Sequence, residues 1–182
     1  MGYAGGTTRN PAYHNLGDHT ETVQMDFDPK RVSFGQLLDV FWKSHDPTRR
    51  SWSRQYMSAV FYHSEEQKKI ALETKEREAA GRSRTIFTEV VPFTGFTLAE
   101  DYHQKYGLRH QPGLMREFRA MYPDEQSLVA STAVARVNGH LYGYGTREAL
   151  EAEVSGYGLS AEGTRTLMDL TASGTLSRGC PL

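Results

Sequence analysis

The spacing of apolar and polar residues predicts two helices in the first half of the chain. The first should run from Ser33 to about Ser44, since Pro47 disfavours helix in the residue before it. Its apolar residues recur at three- and four-residue intervals and therefore share one face: Leu37, Leu38, Phe41 and Trp42. The second, from Ser64 to about Ala80, is rich in Glu and Lys, which is typical of a solvent-facing helix.

Three short motifs have a Ser or Thr followed three residues later by Gln or Glu. In such a capping box the first side chain accepts from an unpaired amide at the helix start, and the second side chain reaches back to the cap residue. Each motif therefore predicts the start of a helix. The motifs are Ser33…Gln36, Ser64…Gln67 and Thr97…Glu100.

Three segments of strand length lie around these helices and are rich in β-branched and aromatic residues. They are Thr22 to Phe27, Tyr56 to Tyr62 and Thr85 to Val91. Strands that alternate with helices indicate a layered domain in which the helices pack on a sheet. The pattern favours an α/β or α+β fold for this part of the chain.

The second part of the chain, after Tyr106, reads as a helical extension. Proline and glycine residues punctuate helical segments near residues 113–121, 124–137 and 146–154. The end of the chain, from Ser173 to Leu182, consists of small and polar residues, so we expect a mobile tail there.

Composition narrows the class of protein. A chain of 182 residues with 38% hydrophobic residues has enough apolar side chains for a buried core. The 21 Lys and Arg residues balance 22 Asp and Glu residues, which argues against nucleic acid as a partner. No apolar run is long enough for a membrane span and no signal peptide is evident, so we expect a cytoplasmic protein. The single cysteine, Cys180, excludes a disulfide within the chain and a zinc site with several cysteine ligands.

Five short motifs in the first part of the chain resemble those of the A-type peptide methionine sulfoxide reductases, which reduce methionine S-sulfoxide to methionine. The resemblance covers roughly residues 2–106. The motifs are Gly2-Tyr3-Ala4-Gly5-Gly6, Asn10-Pro11-Ala12-Tyr13, His19-Thr20-Glu21, Phe41-Trp42-Lys43-Ser44-His45-Asp46-Pro47 and Gln55-Tyr56.

The resemblance implies an α+β fold, a two-layer ferredoxin-like sandwich. We therefore expect a catalytic core over residues 1–106 and a helical extension with its tail over residues 107–182. In the family, a Gly-Cys-Phe-Trp-Gly motif that carries the nucleophilic cysteine precedes the Gly-Tyr-x-Gly-Gly turn. No such motif stands before Gly2 in this chain, so we expect an N-terminally truncated core without its nucleophile.

Reduction of a sulfoxide needs a thiolate that attacks sulfur, an acid that protonates the departing oxygen, and donors that hold this oxygen. By resemblance, Glu21 is the catalytic acid, and the hydroxyls of Tyr13 and Tyr56 bind the sulfoxide oxygen. Taken singly, a glutamate or a tyrosine at such positions is more often a surface or packing residue. Three matches in the family order, with the right flanking motifs, favour the functional interpretation.

Cys180 has three interpretations. It is a free thiol in the tail, or a resolving cysteine that attacks a sulfenic acid to form a disulfide, or the nucleophile itself. The second resembles the resolving cysteines of the family. The third is disfavoured because the sequence around Cys180, followed by Pro181, shows no helix start that would lower the pKa of its thiol.

The loop from Thr48 to Arg54 departs from the family, which has a longer loop with a Gly-Asn-Asp motif there. Trp52 in this loop either packs against the sheet, as we favour, or covers the substrate pocket. His14, His19 and His45 do not have the spacing of a metal site, and we predict no metal.

The sequence therefore predicts a protein of the methionine sulfoxide reductase lineage, acting in the repair of oxidative damage. Its substrates would be proteins with oxidised methionine or free methionine sulfoxide. It would bind no cofactor and would depend on a thioredoxin-like thiol reductant. The alternative is a noncatalytic remnant that binds methionine sulfoxide without reducing it.

Overall fold

A computed structural model describes residues 1–82 and 84–173. The predicted tail beyond Ser173 and the thiol of Cys180 lie outside the described residues. The chain divides into two compact units, the first of which spans Met1–Glu100 and the second of which begins at Asp101.

The first unit contains two small sheets. In one, strand β1 (Gly2–Ala4) is central and pairs antiparallel with β2 (Thr20–Thr22) and with β5 (Phe96–Leu98). Tyr3 on β1 therefore stands opposite Glu21 on one side and Thr97 on the other. In the second sheet, β3 (Ala59–Tyr62) pairs parallel with β4 (Glu89–Pro92).

Two helices of the first unit match the sequence prediction. Helix α1 (Phe34–Lys43) begins after a complete capping box of Ser33 and Gln36, which confirms that motif. Helix α2 (Glu65–Ala80) begins after Ser64, whose side chain accepts from the amide of Gln67. The Gln67 side chain accepts from the amide of His63 at 2.8 Å instead of that of Ser64, so this cap is shifted by one residue.

The third predicted capping box is wrong, because Thr97 lies in β5 and begins no helix. The Glu100 side chain, which was expected to cap that helix, accepts a hydrogen bond from the Tyr3 hydroxyl at 2.6 Å. Tertiary contacts therefore use both residues of the motif, and a local pattern cannot reveal such contacts.

The core of the first unit joins the two helices to the parallel sheet. Its buried residues come from α1, α2, β3 and the segment before β4: Leu38, Trp42, Ala71, Val60 and Ile86. The apolar stripe predicted on α1 is thus the face that meets the sheet. Helices packed on small sheets confirm the α+β class that the resemblance implied.

Two of the three predicted strands are present but shorter than expected, and the prediction of a strand from Thr22 to Phe27 is wrong. The segment from Thr22 to Phe27 contributes only its first residue to β2, while Tyr56 to Tyr62 and Thr85 to Val91 contain β3 and most of β4. Strands β1 and β5 were not predicted, since three residues are too few to show an alternating pattern.

The second unit is helical, as expected for the C-terminal part. The segment from residue 124 to 137 was predicted as one helix and forms two, because Ser131 is extended and caps the next helix by accepting from the Val134 amide. The last helix was not predicted. The helices are α3 (Tyr106–Arg109), α4 (Pro112–Met121), α5 (Glu125–Ala130), α6 (Thr132–Leu141), α7 (Arg147–Glu153) and α8 (Ala161–Ala172).

These helices enclose a core of their own around Phe118, Leu128, Val134 and Leu167, each fully buried. Ion pairs surround this core, with Glu125 bound by both Arg109 and Arg119. Within the described ranges, no helix has the length and apolar character that a membrane span requires.

Candidate active site

Glu21, the residue predicted as the acid, occupies the middle of β2 and is half-buried. Its amide donates to the carbonyl of Gln55 at 3.0 Å, and its carboxylate atom Oε1 accepts from Gln55 Nε2 at 2.6 Å. The other carboxylate oxygen, Oε2, is buried and has no hydrogen-bond partner among the described residues. A buried carboxylate oxygen without a partner is costly, so Oε2 is the atom of Glu21 that is available to a bound group.

Of the two predicted oxygen-binding residues, Tyr56 lies near this carboxylate, and Tyr13 contacts Tyr56. Their side chains hydrogen-bond each other, and Glu21 is close enough to act on Tyr56. Burial raises the pKa of Tyr56 above its ordinary value, and the charge of Glu21 and the contact with Tyr13 raise it further. The structure thus brings together all three residues that the resemblance pointed to, although they are far apart in the sequence.

Glu100 fixes the position of Tyr13. Its Oε1 accepts from the backbone amide of Tyr13 at 3.0 Å, while its Oε2 accepts from the Tyr3 hydroxyl at 2.6 Å. This one carboxylate ties the loop that carries Tyr13 to the central strand beside Glu21. No sequence pattern indicated this role, because the Thr97…Glu100 motif predicted a helix cap instead.

The turn after β1 is held by Asp18. Its carboxylate accepts from the amides and the hydroxyls of both Thr7 and Thr8 at 2.8–2.9 Å. These donors stabilise the charged form, so they hold the pKa of Asp18 far below its ordinary value of 3.8. Gly5, with φ of +76°, and Gly6 belong to the same turn, and a side chain on Gly6 would collide with the ring of His19.

We expect Asp18→Asn to destabilise the first unit at neutral pH and to make it less sensitive to acid. Because the pKa of Asp18 is lowered in the folded state, its contribution to stability is present above the ordinary value of 3.8 and is lost as the pH falls below it. The stability difference between wild type and variant should therefore narrow as the pH is lowered through this range. Urea unfolding followed by circular dichroism at several pH values measures this difference. Asp26→Asn, at an exposed position, is the control and should follow the wild-type curve.

Two of the three histidines that were considered as metal ligands form hydrogen bonds with the protein. The Nδ1 atom of His19 accepts from the Gly6 amide at 3.3 Å, which leaves Nε2 to donate to the Thr8 carbonyl at 2.9 Å. The two ring nitrogens of His45 contact the Phe41 carbonyl at 2.9 Å and the Thr88 hydroxyl at 3.1 Å. His19 and His45 therefore stabilise loops of the first unit.

The loop from Thr48 to Arg54 reaches the tyrosines. Trp52 is 82% exposed, so the prediction that it packs against the sheet is wrong. Its ring centroid lies 5.3 Å from that of Tyr56. Arg54 donates from Nε to the Asp18 carbonyl at 3.0 Å, which anchors the loop to the turn after β1.

Three residues that sequence reasoning missed therefore support the site: Gln55, Glu100 and Arg54. Gln55 precedes Tyr56 in the Gln55-Tyr56 motif, and this motif was the one sequence feature that indicated it. Cys180, for which a resolving thiol was one of three interpretations, lies outside the described residues, and no other residue of the chain is a cysteine.

Comparison with known proteins identifies the family of this chain. The family model described as peptide methionine sulfoxide reductase matches residues 1–134. A peptide methionine sulfoxide reductase of Drosophila melanogaster is 38% identical over 162 residues, which cover 88% of this chain and 65% of the relative. Peptide methionine sulfoxide reductase A5 of Arabidopsis thaliana is 40% identical over 146 residues, or 76% of this chain and 56% of the relative.

A third relative, the peptide methionine sulfoxide reductase MsrA of Methanosarcina acetivorans, is 48% identical over 117 residues, which cover 58% of this chain and 62% of the relative. The chain thus spans between 56% and 65% of the length of these three relatives. The family match includes every residue of the site described above, and it extends over more than half of the chain. The chain therefore belongs to the peptide methionine sulfoxide reductase family.

Proposed function

We propose that the first unit binds the sulfoxide oxygen of methionine S-sulfoxide between Tyr13, Tyr56 and Glu21, and that Glu21 is the general acid of its reduction. The observation that carries the proposal is the buried Oε2 atom of Glu21, which has no partner among the described residues and belongs to a carboxylate whose charge acts on Tyr56, itself hydrogen-bonded to Tyr13. A sulfoxide oxygen is a strong acceptor, and it would receive hydrogen bonds from a protonated Glu21 and from a tyrosine hydroxyl.

Gln55 decides which oxygen of Glu21 carries the proton. Because Oε1 accepts from Gln55 Nε2 at 2.6 Å, protonation is favoured on Oε2, the atom that has no partner in the described part of the chain. The raised pKa of Tyr56 keeps its hydroxyl protonated, and hence a donor, at neutral and mildly alkaline pH. Both groups thus offer a proton to one oxygen.

The reduction of one sulfoxide oxidises one thiol to a sulfenic acid. A thiolate from outside residues 1–182, either on a segment with the Gly-Cys-Phe-Trp-Gly motif or on an external thiol, attacks the sulfoxide sulfur. The oxygen takes a proton from Glu21 and passes to the thiol sulfur, and the products are methionine and a sulfenic acid. A second thiol then attacks the sulfenic acid, which forms a disulfide and releases water. A dithiol reductant of the thioredoxin type would reduce this disulfide. Cys180 is the one thiol of the chain and a candidate for the second, resolving step.

In this role the protein would act on methionine S-sulfoxide in damaged proteins or as the free amino acid. A second candidate function, binding of methionine sulfoxide without reduction, is favoured by one observation: residues 1–82 and 84–173 contain no cysteine. Both functions need the same oxygen-binding site, so a binding experiment tests what they share.

We expect the chain to bind N-acetyl-methionine S-sulfoxide amide more tightly than the corresponding thioether, as measured by isothermal titration calorimetry. Tyr56→Phe should weaken sulfoxide binding about 2- to 10-fold, the value of one hydrogen bond, and leave thioether binding unchanged. Tyr144→Phe, at a 65% exposed position of the second unit, is the matched control. Equal binding of sulfoxide and thioether by the wild type would exclude both candidate functions.

A further inference from the structure

A surface cleft of about 510 Å³ lies between the loop that precedes Tyr56 and strand β4. This volume is within the range of sites that hold small ligands or several residues of a peptide. Its lining combines three arginines, two aromatic side chains and one carboxylate, together with serines and a methionine. The charged and aromatic residues are Arg49, Arg50, Arg54, Trp52, Phe87 and Glu89.

Two of the arginines are available to a ligand. Arg49 and Arg50 are exposed, and neither forms an ion pair with another described residue. Arg54 is engaged, since it donates to the carbonyl of Asp18. Glu89, on the β4 side, is the only acidic residue that lines the cleft among those the structure describes. The cleft is therefore positively charged on its loop side and suits an anion.

Trp52 connects this cleft to the proposed sulfoxide site. Its side chain lines the cleft, and its ring centroid lies 5.3 Å from that of Tyr56, with the rings inclined at 48°. The indole is 82% exposed although it is a large apolar group. A polypeptide whose oxidised methionine reaches Tyr56 would therefore lay a neighbouring residue across Trp52 and into the cleft.

We propose that this cleft binds an acidic side chain, Asp or Glu, close in sequence to the methionine sulfoxide of a polypeptide substrate. The inference rests on the proposed function and adds a preference among substrates. The guanidinium groups of Arg49 and Arg50 provide the paired donors that suit a carboxylate, and Trp52 and Phe87 provide apolar surface for the stem of the side chain. The size of the cleft favours a segment of polypeptide over the carboxylate of the free amino acid.

Three blocked peptides that differ only beside the methionine sulfoxide test the inference, with Glu, Gln or Lys at the two flanking positions. We expect the Glu peptide to bind about 3- to 10-fold more tightly than the Gln peptide, and the Lys peptide to bind least tightly. Raising the salt concentration should reduce this difference. Free methionine sulfoxide, measured alongside, should gain nothing from the two arginines.

The double variant Arg49→Gln/Arg50→Gln should bring the Glu and Gln peptides within about twofold of each other while the Gln peptide binds as before. Arg31→Gln, at an exposed arginine outside the cleft, is the control. Glu89→Gln should instead strengthen binding of the Glu peptide, which keeps the test decisive if the double variant is unstable.

Equal affinities for the three peptides in the wild type would overturn the inference and leave the proposed function intact. A preference for the Glu peptide that persists in the double variant would also overturn the inference and leave the proposed function intact. If the free amino acid loses affinity in the double variant as much as the Glu peptide does, the cleft binds the substrate's own carboxylate and the inference is wrong. Failure of the proposed function would look different, because sulfoxide and thioether forms of each peptide would then bind equally.

Discussion

Glu21→Gln should lower the turnover of methionine S-sulfoxide about 10²- to 10⁴-fold in a form of the protein extended before Met1 by a segment with the Gly-Cys-Phe-Trp-Gly motif. The extension supplies a thiolate, and Glu21 then supplies the proton to the departing oxygen. A glutamine has nearly the same shape and can keep a contact with Gln55, but it has no acidic proton to transfer. The measurement is the rate of methionine formation with dithiothreitol as reductant.

The 182-residue chain and its Cys180→Ser variant are measured beside the extended form. The 182-residue chain itself should form no methionine, because sulfur attack needs a positioned thiolate and its one thiol is Cys180. Its Cys180→Ser variant should behave identically. If the 182-residue chain turns over and Cys180→Ser abolishes the activity, Cys180 is the nucleophile. If the extended form is inert while sulfoxide binding persists, binding without reduction becomes the better account.

Tyr144→Phe in the extended form is a control for nonspecific effects of substitution, since this exposed tyrosine belongs to the second unit. It should change turnover little. An extended Glu21→Gln protein with wild-type turnover would contradict the assignment of Glu21 as the acid.

Trp42→Ala should lower the free energy of unfolding by about 3 to 5 kcal/mol, the usual cost of removing a large buried aromatic side chain. Trp42 is 1% exposed, and its ring packs against Phe41 and His45 at centroid distances of 5.1 and 6.0 Å. The cavity would open between α1 and the sheet of β3 and β4, in a core whose largest fully buried side chain is Trp42. Urea unfolding followed by circular dichroism measures the change.

Trp42→Phe should lower the free energy of unfolding much less than Trp42→Ala. The indole Nε1 atom is buried and has no hydrogen-bond partner among the described residues, so phenylalanine removes an unsatisfied donor while it keeps most of the apolar contacts. The free energy of unfolding of Val40→Ala, on the exposed side of the same helix, should lie within about 0.5 kcal/mol of that of the wild type. Equal losses for the alanine and phenylalanine variants at position 42 would show that packing at this site is not what stabilises the unit.

The sequence alone determined the features that depend on neighbouring residues. Ser33 with Gln36, and Ser64 before α2, located both helices of the first unit to within a residue or two, because a cap is satisfied by amides three positions away. The stripe containing Leu38 and Trp42 likewise identified the buried face of α1. The family motifs singled out Glu21, Tyr13 and Tyr56 as candidate site residues.

The tertiary structure decided what depends on residues far apart in the chain. Strand β1 has only three residues, and it is a strand because Glu21 and Thr97 flank Tyr3 on its two sides. The Thr97…Glu100 pattern failed for the same reason, since pairing with β1 fixed Thr97 in a strand and left the Glu100 carboxylate to bind Tyr3 and Tyr13.

The candidate active site also combines features set by local sequence with features set by the tertiary structure. Local sequence could name an acid and two hydroxyls, but the partner of each carboxylate oxygen of Glu21 is set by the packing of the Gln55 loop against β2. The exposure of Trp52 was also beyond sequence reasoning, because an indole in a loop is buried or exposed according to what the rest of the chain places beside it. Hydrogen bonds between distant segments form only when the chain has folded, and they fix the orientation of the side chains that the sequence merely supplies.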